Sequence, residues 1–523
     1  MTIEFSSLGQ SPLLAHNRRE SQWSQVSNGL WVPKISRPVP DESAPEHQSL
    51  SHTTTEETPS SQIVPDDSSG WKRYWVERGW PWRREPEISL ARQQELAQRR
   101  TIPVDMEQGS YPFRGMTLTR ADIEWLLVTH DEGLGPVDWN EESHRKRKGL
   151  DLRGAHVSEG TDLSSLPLAR LQGGLWFDEM ASLGSEELCA HALLWFQHIN
   201  LREAHLEGAI LFDAHLEGTD LREAHLEEAI LPSAHLEKTI LWRAHLEGAI
   251  LLGIYLEEAN LREAHLEGVC LMGAHLERAS LLGAHLEMAD LRAASLSPVT
   301  LTQATLANAA GIGPTLVDAQ WGETNLSVAN WSQVRMLGDE DSASQSLADN
   351  GQKKTSAKRQ EGYQYAYRAN HQLAVVLQNQ GLTDNAAHFA YRAKCLKRTV
   401  LRYDFLLART MKQRFQIGWS LLFSWTLFLL AGYGYRIWRC LLWYGGVVLL
   451  FMFFYWWLDP IHVPWWTALG ESVNVFHGRG ATPSIAELVH PIRFTLLTVA
   501  EAIIGLVVEV VFVATMIQRL FGK

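Results

Sequence analysis

A leucine returns every five residues from Leu201 to Leu306, twenty-two centres with no break in register. Two positions before most of them stands a small residue, as at Ala204, Ala209, Ala214, Ala224 and Ala229. A fixed short period marks a stacked architecture and is read before any helix or strand. Five fits neither the helical period of about 3.6 nor the strand period of about 2. A four-sided coil satisfies it, with each five-residue segment forming one side. The leucine and the small residue then point inward, the other three positions face water, and residues twenty apart stack at the interstrand spacing of about 4.8 Å.

The outward positions carry a second pattern. Histidine precedes the central leucine at His205, His215, His225, His235, His245, His265, His275 and His285, with Tyr255 in the missing place, and glutamate follows it from Glu207 to Glu287. Each coil holds two of these ten-residue superperiods, so two opposite faces each carry a histidine column beside a glutamate column. Between them lies a face reading Ile210, Ile230, Ile250 and Cys270 before the leucine, with Phe212, Pro232, Leu252 and Met272 after it. The fourth face shows Arg202, Arg222, Trp242 and Arg262.

A contiguous exposed apolar patch marks a contact surface. Ile210, Phe212, Ile230, Ile250, Leu252 and Met272 are therefore candidate interaction residues for a protein partner, a second subunit or another part of this chain. For the His and Glu columns, any polar residue satisfies an outward position and duplication copies it. A pH-responsive surface is also physically possible, because stacked like charges shift one another's titration. A metal ladder needs fixed ligand geometry and a supporting shell. A regular column supplies neither by itself, so no metal and no cofactor are expected.

The unit Ala-His-Leu-Glu-Gly and its variants resemble the pentapeptide repeat, which is centred on Leu or Phe. The resemblance implies a right-handed quadrilateral β-helix, placed here at residues 149–335. Its first turn is read at Leu152, Val157, Leu163 and Leu168 with a one-residue slip, followed by a helical insertion at about 171–198. The far end loosens at Gly311-Ile312-Gly313 and closes through Leu316, Trp321, Leu326 and Trp331.

The chain is multidomain. Residues 1–70 are rich in Ser, Thr, Pro, Glu and Gln and read as a disordered tail. Residues 71–148 read as a small helical or mixed cap, with helices over 88–100 and from a Thr119/Asp122 capping box to about Gly133. Trp71, Trp75, Trp80 and Trp82 alternate there with Lys72, Arg73, Arg78, Arg83 and Arg84. Such interleaving suits nucleic acid or lipid headgroups, but a folded cap with a solvated face is the preferred reading. Residues 336–362 suit a linker, and 363–408 a helical hairpin turning at Gly381. Gly381, Ala386 and Ala393 resemble the second half of a single tetratricopeptide repeat.

Residues 409–523 form the membrane domain. Segments 440–458 and 494–517 are each long enough to cross a bilayer core of about 30 Å. The apolar segment 417–435 is flanked by Arg402, Arg409, Lys412 and Arg414 on one side and by Arg436 and Arg439 on the other, which favours an interfacial helix. With Arg519 and Lys523 also inside, the expected topology is two crossings of the cell membrane. Both termini and the solenoid are then cytoplasmic, and membrane lipid is a partner.

Helix, short amphipathic segment 465–475, the run Phe476-His477-Gly478-Arg479-Gly480, then helix: this layout resembles the two-helix pore domain of potassium channels. Their filter reads Thr-Val-Gly-Tyr-Gly, and Gly478 and Gly480 align with its glycines. Arg479 replaces the tyrosine, which would repel cations around a symmetric axis. The resemblance implies a homo-tetramer. In the last helix Glu501, Gly505 and Glu509 are four apart on one face. They line a polar cavity or satisfy groups inside a non-conducting anchor.

Charge and motifs narrow the function. The net charge of −13 is concentrated in residues 199–333, which hold nineteen acidic against seven basic residues, so nucleic-acid binding is not expected. Cys189, Cys270, Cys395 and Cys440 show no zinc or disulfide spacing, the N-terminus shows no signal-peptide pattern, and no enzyme motif is present. Three readings follow: a cation-channel-like pore with a cytoplasmic solenoid, a non-conducting membrane-tethered scaffold, or an acidic DNA mimic acting on a topoisomerase. The last rests on resemblance to the quinolone-resistance pentapeptide proteins.

Overall fold

The computed structural model describes residues 68–105, 108–175, 179, 192–347, 352–435, 437–458, 463–479 and 491–521, and two strands, Trp23–Gln25 and Trp31–Pro33. These strands, β1 and β2, pair antiparallel, and the rest of the expected disordered tail up to residue 67 lies outside the described residues. Two compact units result, Met1–Lys354 and Thr355–Lys523.

The first unit opens with helix α1, Ser68–Val76, and α2, Leu90–Arg100, whose N-cap Ser89 accepts from the Arg92 amide. Strand β3, Thr117–Leu118, leads into α3, Arg120–Val128, where both arms of the Thr119/Asp122 capping box are formed. Strand β4, His156–Val157, belongs to the first coil and pairs in parallel with β3. The cap thus covers the open edge of the solenoid with a strand of its own, as an exposed edge requires.

The tryptophans and arginines of the cap hold it together. Arg83 stacks over the Trp75 ring at 3.6 Å, and Trp75 Nε1 donates to Glu85 O at 2.8 Å. Arg120 donates to Glu124 at 2.7 Å and to the carbonyls of Asp162 and Ser164 at 2.9 and 3.1 Å, tying α3 to the coil.

From Trp195 to Thr305 every inter-coil bridge joins residues twenty apart, such as His205↔His225 and Ile230↔Ile250. Each corner is a four-residue turn. The Ala204 amide donates to Leu201 O at 3.1 Å, and Glu203, third in the turn, has φ 54°. Glycine suits that left-handed position. Gly208 needs to be glycine twice over, because its φ is 61° and a Cβ would lie 2.8 Å from the Trp139 ring. Inside, the leucines form a continuous buried ladder with the alanines between them. Each buried leucine contributes about 1.5–3 kcal/mol.

The slip is present as the bridge Asp151↔Gln172, and the insertion as bridges of residues 38 apart, such as Pro167↔His205. Of the expected helical insertion, residues 176–178 and 180–191 lie outside the described residues. Its last part is coil rather than helix: Trp195 bridges both His156 and His215, and buried Phe196 takes a central place five before Leu201. The inward pull of Phe196 in repeat register overrides the helical composition around it.

At the far end Thr315 pairs with Asp290, the bridge spanning an extra loop around Gly311. Residues 336–362 are not simply a linker. Helix α4, Gly338–Ser344, closes this end, with buried Asp339 accepting from the amides of Leu316 at 2.7 Å and Val317 at 3.3 Å.

In the second unit α5, Ser356–Asn379, starts seven residues before the expected hairpin, because Thr355 caps it through the Lys358 amide. It packs against α6, Thr383–Leu407, along a seam including Ala369, Leu373, Phe389 and Ala393. Gly381 turns between them with φ 79°. Helix α7, Met411–Ala431, ends at left-handed Gly432; α8, Ile437–Leu458, α9, Trp465–Phe476, and α10, Pro491–Phe521, follow. Arg398 of α6 lies over the rings of Trp425 and Phe428 in α7, at 4.5 and 4.0 Å. Segments Trp438–Trp457 and Thr495–Ile517 are long and apolar enough to cross a membrane.

Candidate functional site

The two histidine columns are stacks of parallel rings. On one face His205, His225, His245, His265 and His285 follow one another at 4.7–4.9 Å with planes within 5°. On the opposite face His156, Trp195, His215, His235, Tyr255 and His275 continue the stack, so Tyr255 fills the gap as a ring. The β-helix enforces this order, since equivalent side chains of successive coils have nowhere else to lie.

From His205 to His285 each column histidine Nδ1 faces the Oε1 of the glutamate two residues on. The separation opens from 2.9 Å at His205 and His215, through 3.2 Å at His225, to 3.4 Å at His245 and His265 and 4.0 Å at His275. The second oxygen of every column glutamate from Glu207 to Glu287 is buried and receives no hydrogen bond. Glu207 is only 5% exposed. A trough of about 620 Å³ runs along the first column, with Glu203, Glu223, Arg243 and Glu263 as its other wall.

These neighbours set the charge. Hydrogen bonds that the imidazoles of His225 and His235 donate to Glu227 and Glu237 raise both rings above their ordinary range, against the opposing pull of burial. Burial alone would raise Glu227 and Glu237, but the paired histidines, together with their own backbone amides, which lie near without reaching hydrogen-bond geometry to the second oxygen, outweigh it and hold both below the usual carboxylate range. Glu257, beside Tyr255, has no such partner; burial, with Glu237 and Glu277 adding to it, raises that carboxyl.

The apolar stripe is not the open surface expected. Ile210, Ile230 and Cys270 are 2%, 5% and 6% exposed, while Phe212, Ile250, Leu252 and Met272 are half-buried. Ile210, Ile230 and Ile250 pack on one another down the face. Burial pushes the Cys270 thiol up to about 12, which makes it unreactive.

In the second unit, the face bearing Glu501, Gly505 and Glu509 turns toward α9. Glu501 is fully buried and accepts from Tyr455 Oη at 2.7 Å and from Ser472 Oγ. Glu509 contacts His477 Nδ1, and His477 Nε2 meets Tyr444 Oη at 3.2 Å. A Cβ on Gly505 would lie 2.3 Å from Phe476 O, so glycine here permits the close approach of α10 to the end of α9. Phe476 is buried, Gly478 is left-handed with φ 68°, and Arg479 is exposed. Gly480 lies outside the described residues. The hydroxyls of Tyr455 and Ser472 were not singled out by sequence reasoning, because an aromatic and a small residue in apolar helices read as packing.

A family model described as pentapeptide repeats matches residues 196–228, 209–241, 239–278 and 270–308, in eight copies. Residues 196–308 of the solenoid are therefore built of pentapeptide repeats. Among solved structures the chain is similar to trypsin-treated QnrB1, a plasmid-mediated fluoroquinolone resistance protein, at 17% identity over 35% of this chain and 80% of that one, TM-score 0.26. It is also similar to the pentapeptide repeat protein Rfr23 from the cyanobacterium Cyanothece 51142, at 29% identity over 33% of this chain and 88% of that one, TM-score 0.14. A third is HetL, a pentapeptide repeat protein involved in heterocyst differentiation regulation from Nostoc sp. strain PCC 7120, at 22% identity over 40% and 86%, TM-score 0.11. No curated protein matches the chain.

Proposed function

We propose that this chain is a non-enzymatic, membrane-tethered scaffold. Helices α8 and α10 anchor it in the cell membrane, and the pentapeptide-repeat solenoid and both termini face the cytoplasm. The observation that carries this reading is that the buried carboxylate of the apolar helices, Glu501, is satisfied inside one chain by Tyr455 and Ser472, while the partly exposed Glu509 contacts His477. Lining a pore would require such groups to face a water-filled axis. Large apolar side chains on the outside of α8 and α10, such as Leu442 and Leu496, support contact with lipid or a second copy. For the solenoid we propose a protein partner. A DNA mimic is less favoured, because the column glutamates are half-buried beside histidines and present little free phosphate-like charge.

One observation favours a second reading, a homo-tetrameric cation pore: α8, short α9, the Gly478 turn and α10 follow in the order that such a domain requires. Reconstitution of the full chain into liposomes decides between them. The tether predicts that the protein floats with lipid after an alkaline wash and passes no potassium above protein-free vesicles. Potassium flux abolished by Glu509→Gln would replace the tether with the pore, and failure to float would remove both.

A further inference from the structure

We propose that the histidine–glutamate columns bind divalent first-row transition-metal ions, Zn²⁺ being the representative, in sites that bridge successive coils. Five groups of three side chains along the two faces bring one ligand atom each within 4.8 Å of the others. In the first, Glu207 of one coil joins His225 and Glu227 of the next; in another, His245 and Glu247 join His265.

Geometry leaves room for an ion in place of the proton between these groups. Zinc bonds of about 2.0–2.2 Å in a tetrahedron hold ligand atoms about 3.3–3.5 Å apart. Within the five groups the Nδ1–Oε1 gaps are 3.2 Å at His225, 3.3 Å at His235, 3.4 Å at His245, 3.7 Å at His285 and 4.0 Å at His275. Those at His225, His235 and His245 sit at the long end of hydrogen bonding and close to one edge of a metal tetrahedron, so an ion can take the place of the proton with little movement. The parallel ring stacks fix the imidazole planes, which supplies the ligand rigidity that the sequence pattern alone does not reveal.

Solvation points the same way. A buried carboxylate oxygen with no donor is costly, and here it recurs at every column glutamate. Glu207 is the sharpest case, almost fully buried with Oε2 unpartnered. Stacked carboxylates also repel one another. A divalent cation offsets both costs at once. Imidazole with carboxylate selects zinc, cobalt, nickel or copper over magnesium and calcium, which favour oxygen alone. Three protein ligands leave the fourth position to water.

The test uses the full chain in detergent, stripped by chelator and dialysed against Zn²⁺, with Mg²⁺ in excess. Co²⁺ in place of Zn²⁺ reports tetrahedral coordination by its visible absorption. Several Zn²⁺ per chain, an intense Co²⁺ band and no displacement by Mg²⁺ are expected. Glu207→Gln with Glu227→Gln, and separately His225→Gln, should each remove the same single equivalent or weaken it at least about tenfold. Glu258→Gln, at a corner outside the five groups, should leave the count unchanged. The Glu→Gln changes are near-isosteric, His225→Gln removes one ring of the stack, and far-UV circular dichroism verifies the fold of both variants. Absence of Zn²⁺ binding, displacement by Mg²⁺, or a count that neither variant lowers overturns the proposal.

Discussion

Asp339 shows how one residue closes a solenoid. It is wholly buried, caps two backbone amides of the last coil, and burial pushes its carboxyl up to about 7, with Arg292 opposing and Asp290 adding to the shift. Its folded value lies above the ordinary aspartate value of about 3.9. The folded state therefore holds the proton more tightly, and this end loses stability as pH rises from about 4 towards 7. Asp339→Asn should flatten that dependence while keeping an acceptor for the Leu316 amide. Asp339→Ala should lower stability by about 1–3 kcal/mol by leaving the amide unpaired. Urea titrations of the full chain at two pH values check both. Nothing in the sequence marks Asp339 among its acidic neighbours; its role exists only once the chain folds back on Leu316. The leucine register is the opposite case, legible because each inward residue declares its own position.

At the scale of elements, His225 and His235 titrate under the influence of carboxylates from neighbouring coils. His225 faces Glu207, Glu227 and Glu247, and His235 faces Asp213, Glu217 and Glu237. A raised histidine contributes stability that is present below about pH 6.5 and lost as pH rises through its folded value. A depressed glutamate contributes stability that is present above about pH 4.3 and lost as pH falls through its folded value. Both act together between those limits. With chelator present, the solenoid should melt highest near pH 5–6 and lower by pH 8, and His225→Gln with His235→Gln should reduce the difference. Circular dichroism melts across that range measure it. Sequence periodicity predicted the columns themselves. It could not predict that their carboxylates lose half their hydrogen bonding to burial, because that depends on the coil above and below. Similarly, the tryptophan–arginine alternation of the cap was readable as a folded piece, but the destination of Arg83 and Arg120 was not. Polar composition concealed α4 and the first turn of α5, since a helix with few apolar anchors resembles a linker.

For the whole molecule, hydropathy located both apolar helices to within a few residues, because length and apolarity are local properties. Partners within the helical unit were not legible, since Glu501 meets Tyr455 and Ser472 from distant parts of the chain. Two crossings, as proposed, would place both termini on one side. Tags at the N- and C-termini of the full chain should both resist protease added outside intact cells and both be cleaved after permeabilisation. Opposite behaviour of the two tags would require an odd number of crossings, with α7 as the third.

The twenty-residue bridge spacing sets a rule for how such a rod can change length. Because each coil touches only its neighbours, removing residues 221–240 should shorten it by one step of about 4.8 Å and leave all four faces aligned. Removing ten would keep the histidine faces continuous but rotate the isoleucine face onto the arginine face. The rod is a ruler graduated in units of twenty residues, and half-units scramble its markings.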